Sequence, residues 1–105
     1  MTAILEDVYS KIAAEKHEFT ETDFSKQYLG KSGTYFAYLK STGKDVSDNA
    51  LLKLWGKLSA EHQACSSAMS ATQHTFNKHI LSEWAELYSQ LCDDVFTELC
   101  ERAHS

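Results

Sequence analysis

The sequence predicts a single all-α domain of five or six helices, with a central helix-turn-helix unit and a long C-terminal helix, and three observations support this. Proline is absent and glycine occurs only at 30, 33, 43 and 56, so few residues interrupt a helix. Apolar residues recur at three- and four-residue spacing, and no segment alternates as a half-buried strand does. The 105 residues, 43% of them hydrophobic and 24% charged, suit one folded domain, residues 1–105, rather than a disordered chain.

The first helix is predicted over residues 3–17. Glu6 and Asp7 lie near its beginning, where the helix dipole favours acidic side chains. Its apolar face follows the period of a helix and consists of Ile4, Leu5, Val8, Ile12 and Ala13. Phe19, in the connection that follows, is expected to fill the core.

Residues 20–58 are predicted to form the helix-turn-helix core, made of three short helices over 21–29, 33–41 and 48–58. Thr20 or Thr22 is expected to cap the first of them, and Ser47 the third. Gly30 and Gly43 are expected to end the first two, because glycine readily adopts the left-handed conformation at that position. The inward side chains are expected to be Phe24, Tyr28, Leu29, Phe36, Ala37, Leu39, Leu51, Leu52, Leu54, Trp55 and Leu58.

Residues 60–103 are predicted to form a C-terminal helical dimerisation region. A weakly patterned helix over 60–77, with Cys65, Met69 and Phe76 inward and a break expected near 70–79, precedes a clear helix over 79–102. The apolar stripe of the last helix is wider than one packing face needs, so we expect one side to lie on a second copy of the chain. In the alternative, the 60–77 helix covers that side within the monomer. The interface of the predicted two-fold homodimer contains Trp84, Leu87, Tyr88, Leu91, Val95 and Leu99, with Trp84 and Leu91 as anchors.

The charges of the chain are segregated along the sequence, although the net charge is −5. Residues 26–57 carry six lysines and two aspartates, whereas the segments on either side carry an excess of acids. Local sign matters more than total charge when a protein binds phosphate groups. The middle segment is therefore the candidate surface for nucleic acid, although the same lysines would also suit an ordinary solvated helix surface.

Leu29-Gly30, Ser32, Gly43 and Ser47 follow one another at characteristic spacing, and Leu51, Leu52 and Leu54 come next. This pattern resembles the lambda repressor/Cro-like helix-turn-helix family, with Phe24-Ser25 in place of that family's Leu-Ala pair. It is also similar to small bacterial proteins of unknown function that carry a Phe-Ser…Leu-Gly-[Arg/Lys]-Ser…Tyr…Tyr-Leu core. Compared with the family, the chain has one extra residue between Phe24-Ser25 and Gly30 and another between Leu29-Gly30 and Gly43. The recognition helix is therefore expected to be rotated or displaced.

The resemblance implies that the protein is a DNA-binding transcriptional regulator without enzymatic activity. In this family, the N-terminal end of the second helix of the pair enters the major groove of double-stranded DNA. The residues expected to face the groove are Lys31, Ser32, Thr34, Tyr35 and Tyr38, and Lys40 and Lys44 would hold flanking phosphates. Recognition by this helix would be weakly sequence-specific, because it lacks Arg, Gln and Asn. In the alternative, Tyr35 and Tyr38 are half-buried core residues.

A second interpretation is a protein-binding adaptor or anti-regulator that keeps the helical pair only as a scaffold. The acidic flanks and the wide C-terminal stripe favour it. In either case the partner could include another regulatory protein, and no cofactor is predicted. The N-terminus lacks the pattern of a signal peptide and no segment is apolar enough to span a bilayer, so the expected location is the cytoplasm, with no membrane association.

Metal binding and catalysis find little support in the sequence. His62 and Cys65 are three residues apart and would share a helix face, but a structural zinc ion needs four ligands. His74 and His79 are five residues apart and would lie on different faces. No glycine-rich elbow accompanies a cysteine and a histidine, so no nucleophilic site is predicted. Cys65, Cys92 and Cys100 are expected to be reduced thiols.

Overall fold

The computed structural model describes residues 3–71 and 75–104, with the side chains of the second range described from Lys78 onward. Within these described ranges the chain forms five helices: α1, Ala3–Glu15; α2, which begins as Glu21–Asp23 and continues as a π-helical turn over Phe24–Tyr28; α3, Tyr35–Thr42; α4, Asp48–Ala71; and α5, Thr75–His104. No β strand occurs within the described ranges, so the all-α prediction with a long C-terminal helix is confirmed. No helix in those ranges has both the length and the apolar character required to cross a membrane.

Helix α1 lies on the core through the apolar face that the sequence predicted. Leu5, Val8 and Ile12 are fully buried. Tyr9, the residue after Val8, stacks on Phe19 with 5.7 Å between ring centroids. Its hydroxyl donates a hydrogen bond to the Phe19 carbonyl. Phe19 therefore packs half-buried against the core and fixes the connection between α1 and α2.

Helix α2 begins with a reciprocal cap and ends with a wide turn. The Asp23 N–H donates to Thr20 Oγ1 at 3.1 Å and the Thr20 N–H donates to Asp23 Oδ2 at 3.2 Å, so the expected cap at Thr20 is confirmed. Further on, the Leu29 N–H donates to the Phe24 carbonyl, five residues earlier. A π-helical turn holds one residue more than an α-helical turn. It therefore absorbs the extra residue that the sequence carries between Phe24-Ser25 and Gly30.

The α2–α3 pair is joined by a buried hydrogen bond. Ser25, in the π-helical turn, is fully buried, and its Oγ accepts the Phe36 N–H at 3.1 Å. Phe24 and Phe36 pack beside this bond with 5.4 Å between ring centroids. Ser25 thus satisfies a backbone donor in the first turn of α3 that the helix itself leaves without a partner.

The predicted turn between α3 and α4 is confirmed at both ends. Gly43 has φ 70° and its N–H donates to the Leu39 carbonyl, which ends α3. Ser47 Oγ accepts the Ala50 N–H at 3.2 Å and caps α4. The predicted helix end at residue 58 is wrong, because α4 runs without interruption to Ala71. Neither proline nor glycine lies between Leu58 and Ala60 to end the helix. A break was expected near 70–79, and α4 ends at Ala71 while α5 begins at Thr75.

Helices α4 and α5 are antiparallel, since Trp55 contacts Phe96, Ser59 contacts Cys92 and His62 contacts Ala85. Of the inward residues expected from the sequence, Leu51, Leu54 and Leu58 are buried, whereas Ala37, Leu52 and Trp55 are exposed. Cys65 and Met69 are half-buried, and the side chain of Phe76 lies outside the described residues.

The stripe of α5 that was assigned to a dimer interface is largely part of the monomer core. Tyr88, Leu91 and Val95 are at most 2% exposed, so they have no surface to offer a second copy, and their assignment to an interface is wrong. The reason is that α5 packs against α1 as well as α4, which covers two sides of the helix within one chain. The other three, Trp84, Leu87 and Leu99, lie half-buried at the margin of the core.

We predict that Ser25→Ala will lower the free energy of unfolding by about 1–3 kcal/mol, because the buried Phe36 N–H loses its acceptor. Chemical denaturation followed by circular dichroism measures this. Ser10→Ala is the matched control, since Ser10 is exposed on α1 and its replacement should change stability by less than about 0.5 kcal/mol. Equal stability of the two variants would contradict the role given to Ser25.

Candidate nucleic-acid interface

Two tyrosines on the outer side of α3 lie between two lysines that flank the helix. We call these four residues the α3 stripe: Lys31, Tyr35, Tyr38 and Lys44. Tyr35 and Tyr38 are three residues apart, so they lie on neighbouring positions of one helix face. The Lys31 amine is 5.8 Å from the centroid of the Tyr35 ring, and the Lys44 amine is 5.6 Å from that of Tyr38. Four of the predicted site residues are thus brought together.

The two tyrosines of the α3 stripe have different roles. Tyr35 is half-buried against the core, and its hydroxyl accepts the Ser47 N–H at 3.3 Å. It therefore braces the α3–α4 loop, as expected from the alternative in which it is a core residue. Tyr38 is 46% exposed, and its ring is available to a ligand. Contact with the Tyr38 hydroxyl raises the pKa of Lys44, so that amine is protonated at neutral pH.

Lys40 lies on the opposite side of α3 from the stripe. At 3.6 residues per turn it is rotated by about 140° from Tyr35. Its amine forms an ion pair with Glu21 and lies 4.8 Å from the centroid of the Phe36 ring. Lys40, which was expected to hold a flanking phosphate together with Lys44, therefore lies away from the α3 stripe, and its charge is compensated within the chain.

Three lysines surround the turn between α2 and α3, and we call them the turn lysines: Lys26, Lys31 and Lys53. The Lys53 stem crosses Gly30, where an added Cβ would lie 2.6 Å from the lysine Cδ. Gly33 is crossed by Lys26 in the same way, with 3.1 Å between an added Cβ and the lysine Cε. In the part of the chain that the structure describes, none of these three amines forms an ion pair.

Sequence reasoning included Lys31 but missed Lys26 and Lys53 as site residues. Lys53 is separated from Gly30 by 23 positions, so no local pattern shows that the two meet. The sequence feature that could have indicated the approach of these lysines was the pair of glycines in the turn. A turn that has no side chain at Gly30 and Gly33 leaves room for long side chains from neighbouring helices to lie across the backbone.

Three acids of α2, α4 and the α3–α4 loop are engaged by other side chains. Arg102, at the end of α5, forms ion pairs with Asp45 at 2.9 Å and Asp48 at 2.8 Å, and donates to the Val46 carbonyl at 2.7 Å. Glu21 is held by Lys40. These ion pairs direct the three carboxylates toward cations other than the turn lysines.

Ser32 and Thr34 lie at the beginning of α3, beside the turn lysines. Both are exposed, and their hydroxyl oxygens are 3.4 Å apart. The first backbone donors of α3 are already used, since the Tyr35 N–H donates to the Ser32 carbonyl and the Phe36 N–H to Ser25. The two hydroxyls are therefore the additional donors that this end of the helix offers to a ligand.

The histidine and cysteine residues that suggested other chemistry have structural contacts instead. His62 Nδ1 lies 3.0 Å from the Ala85 carbonyl and joins α4 to α5. Burial raises the pKa of the half-buried Cys65 thiol, which keeps it protonated and a poor nucleophile. Over the described ranges, no three metal-binding side chains come together, and His74 of the weighed metal set lies outside those ranges.

We predict that Arg102→Gln will lower the free energy of unfolding by about 2 kcal/mol, because the buried Val46 segment loses a charged donor and two acids lose their partner. Thermal unfolding followed by circular dichroism measures the loss. Arg102→Lys serves as the matched control, since it keeps the charge but cannot reach the loop with a forked group, and it should recover part of the stability. A variant as stable as the parent would show that the α5–loop contact contributes nothing.

Comparison with known proteins gives one match. Residues 5–104 match the model of a protein family whose description is "Family of unknown function (DUF6626)". No curated protein and no solved structure matches the chain.

Proposed function

The chain belongs to the DUF6626 family, whose function is unknown, and we propose that it is a non-enzymatic regulator that binds double-stranded DNA through the turn lysines and the α3 stripe. The observation that carries the proposal is the convergence of Lys26, Lys31 and Lys53 at the beginning of α3. Amines that form no ion pair with the described residues, at the end of an exposed helix, are suited to the phosphates that flank a groove. Lys44 and Tyr38 extend the same surface along the helix.

The mode of binding follows from where the charges lie. Phosphate contacts from the turn lysines would fix the beginning of α3 against the duplex, where Ser32 and Thr34 could reach phosphates or base edges. The exposed Tyr38 ring offers an apolar surface to thymine methyl groups. Lys40 is held by Glu21 and is therefore a minor contributor, unlike its role in the sequence-based prediction.

Sequence specificity should be weak for a single copy. Helix α3, YFAYLKST, contains no Arg, Gln or Asn, the side chains that read guanine or adenine through paired hydrogen bonds. Affinity would come mainly from phosphate contacts, which do not distinguish sequences. A transcriptional regulator of this kind would require two copies acting together, because two adjacent contacts on one duplex add binding energy and select a spacing.

We predict that Lys26→Gln/Lys31→Gln will weaken binding to every duplex sequence and reduce the slope of log K against log salt by about 1.8, or about 0.9 per lost phosphate contact. Fluorescence anisotropy with a labelled duplex, titrated at several salt concentrations, measures both quantities. The matched control is Lys11→Gln/Lys78→Gln, which removes the same charge from α1, where Lys11 pairs with Asp7, and from the first turn of α5. Its slope should equal that of the parent.

A parent protein that binds no duplex at low salt, or a double variant that keeps the parent slope, would reject DNA binding at this surface. The second candidate function, a protein-binding adaptor, would then be favoured. Its specific support is a group of exposed apolar side chains on α4 and α5, namely Leu52, Trp55 and Phe96.

We predict that Glu21→Gln will leave the salt slope of DNA binding unchanged, because the Lys40 amine that it frees lies on the side of α3 away from the α3 stripe. Stability should change by less than about 1 kcal/mol, since the pair is at the surface. The same anisotropy titration measures the slope, with Glu18→Gln as the control because Glu18 is exposed and lies outside the ion pair. A slope steeper by about 0.9 would show that the Lys40 side of α3 faces the duplex.

A further inference from the structure

Arg102, in the last turn of α5, holds the α3–α4 loop from outside the helix pair. Its Nη1 donates to the Val46 carbonyl at 2.7 Å and pairs with Asp48 at 2.8 Å, and its Nη2 pairs with Asp45 at 2.9 Å. Glu98, one turn earlier on α5, lies 3.5 Å from the Nε and orients the guanidinium. Because Asp45 precedes Val46 and Asp48 follows it, one side chain joins the loop to the beginning of α4.

The α3–α4 loop is anchored at one buried residue. Of residues 43–47, Val46 alone is buried, with 2% of its surface exposed. Its N–H donates to Asp45 Oδ1 at 2.9 Å and its carbonyl accepts from Arg102, so the Asp45–Arg102 ion pair binds both backbone groups of the anchor. An added Cβ at Gly43 would meet no atom of the described residues within 4 Å, its chain neighbours apart. The position of the loop therefore depends on hydrogen bonds, and Arg102 supplies charged ones, which are the strongest.

Lys44 lies between the Arg102 contacts and the end of α3. Its N–H donates to Thr42 Oγ1 at 3.4 Å, and its amine is 5.6 Å from the centroid of the Tyr38 ring. Asp45 is the next residue, so the guanidinium fixes the direction in which the backbone leaves Lys44. The amine that extends the duplex surface along α3 thus belongs to a loop that is held from α5.

We propose that Arg102 is a positioning residue for the duplex surface, because it holds the α3–α4 loop where the Lys44 amine can meet a phosphate beside Tyr38. This inference rests on the proposed function and adds that one phosphate contact is set from a different helix. The Arg102 side chain is 19% exposed and faces three carboxylates and a carbonyl, so it acts through the loop and not by touching DNA. A guanidinium suits this role because its fork binds several acceptors at once, whereas a lysine amine is a point charge.

The first experiment measures the slope of log K against log salt by fluorescence anisotropy with a labelled duplex. Arg102→Gln and Lys44→Gln should each lower the slope by about 0.9, the value for one phosphate contact. The double variant Arg102→Gln/Lys44→Gln should also lose about 0.9 and not about 1.8, because both changes remove the same contact. A parent slope in Arg102→Gln, or a loss of about 1.8 in the double variant, overturns the proposal.

Two controls separate this effect from the loss of a charge and from the loss of stability. Lys11→Gln removes one positive charge and frees Asp7 on α1, and it should keep the parent slope. Val8→Ala removes buried methyl groups from α1, a helix that the Arg102 contacts do not include, so it lowers stability and should also keep the slope. Each variant is titrated at a temperature at which circular dichroism shows it to be folded. A slope lowered as far in either control as in Arg102→Gln overturns the proposal.

Arg102→Lys keeps the positive charge and removes the fork. It should bind the duplex more weakly than the parent at every salt concentration, because an amine cannot hold the carbonyl and both carboxylates at once. Binding equal to that of the parent would show that the charge alone suffices, and would overturn a positioning role.

Amide hydrogen exchange, followed by NMR without DNA, tests directly whether Arg102 holds the loop. Arg102→Gln should speed exchange at Ser47, whose N–H donates to the Tyr35 hydroxyl, and should leave the buried Phe36 N–H as protected as in the parent. Unchanged exchange at Ser47 overturns the proposal even where the parent binds DNA. Faster exchange in a protein whose parent binds no duplex shows that the loop is held from α5, while the proposed function fails and with it the role of Lys44 at a phosphate.

Discussion

The positions of the turn lysines and of the α3 stripe depend on the buried hydrogen bond between Ser25 Oγ and the Phe36 N–H. It sets the position of α3 against α2, because a donor in the first helical turn must find its partner inside a site that excludes water. The π-helical turn makes this geometry possible by accommodating one additional residue before Gly30. Because the Ser25–Phe36 hydrogen bond holds the inward side of α3 against α2, the opposite side of α3, with Tyr38 and the neighbouring Lys44, is exposed.

Ion pairs within the chain then determine which basic side chains are already compensated. The chain contains fewer basic than acidic residues. Arg102 holds Asp45 and Asp48, and Lys40 holds Glu21. None of the turn lysines forms an ion pair with the residues that the structure describes, so a protein of net charge −5 can still present a local group of lysines.

Helix α5 serves two surfaces at once. One side carries Leu91 and Val95 into a core shared with α1 and α4, and a neighbouring side exposes Phe96 with Cys100. The sequence-based prediction assigned the residues with the strongest apolar spacing to a dimer interface. In the structure these residues belong to the monomer core, and the margin of the stripe stays exposed.

The sequence by itself determined the caps and turns of the helices between residues 20 and 47. Thr20, Gly30, Gly43 and Ser47 act through contacts within about four residues, so their roles follow from local chemistry and all four were predicted. Long-range packing decided the rest. Lys53 meets Gly30 across 23 positions, and Arg102 reaches Val46 across 56. Whether a lysine forms an ion pair, or a leucine is buried, depends on which distant helix packs beside it. The spacing of residues within one segment contains no information about that helix.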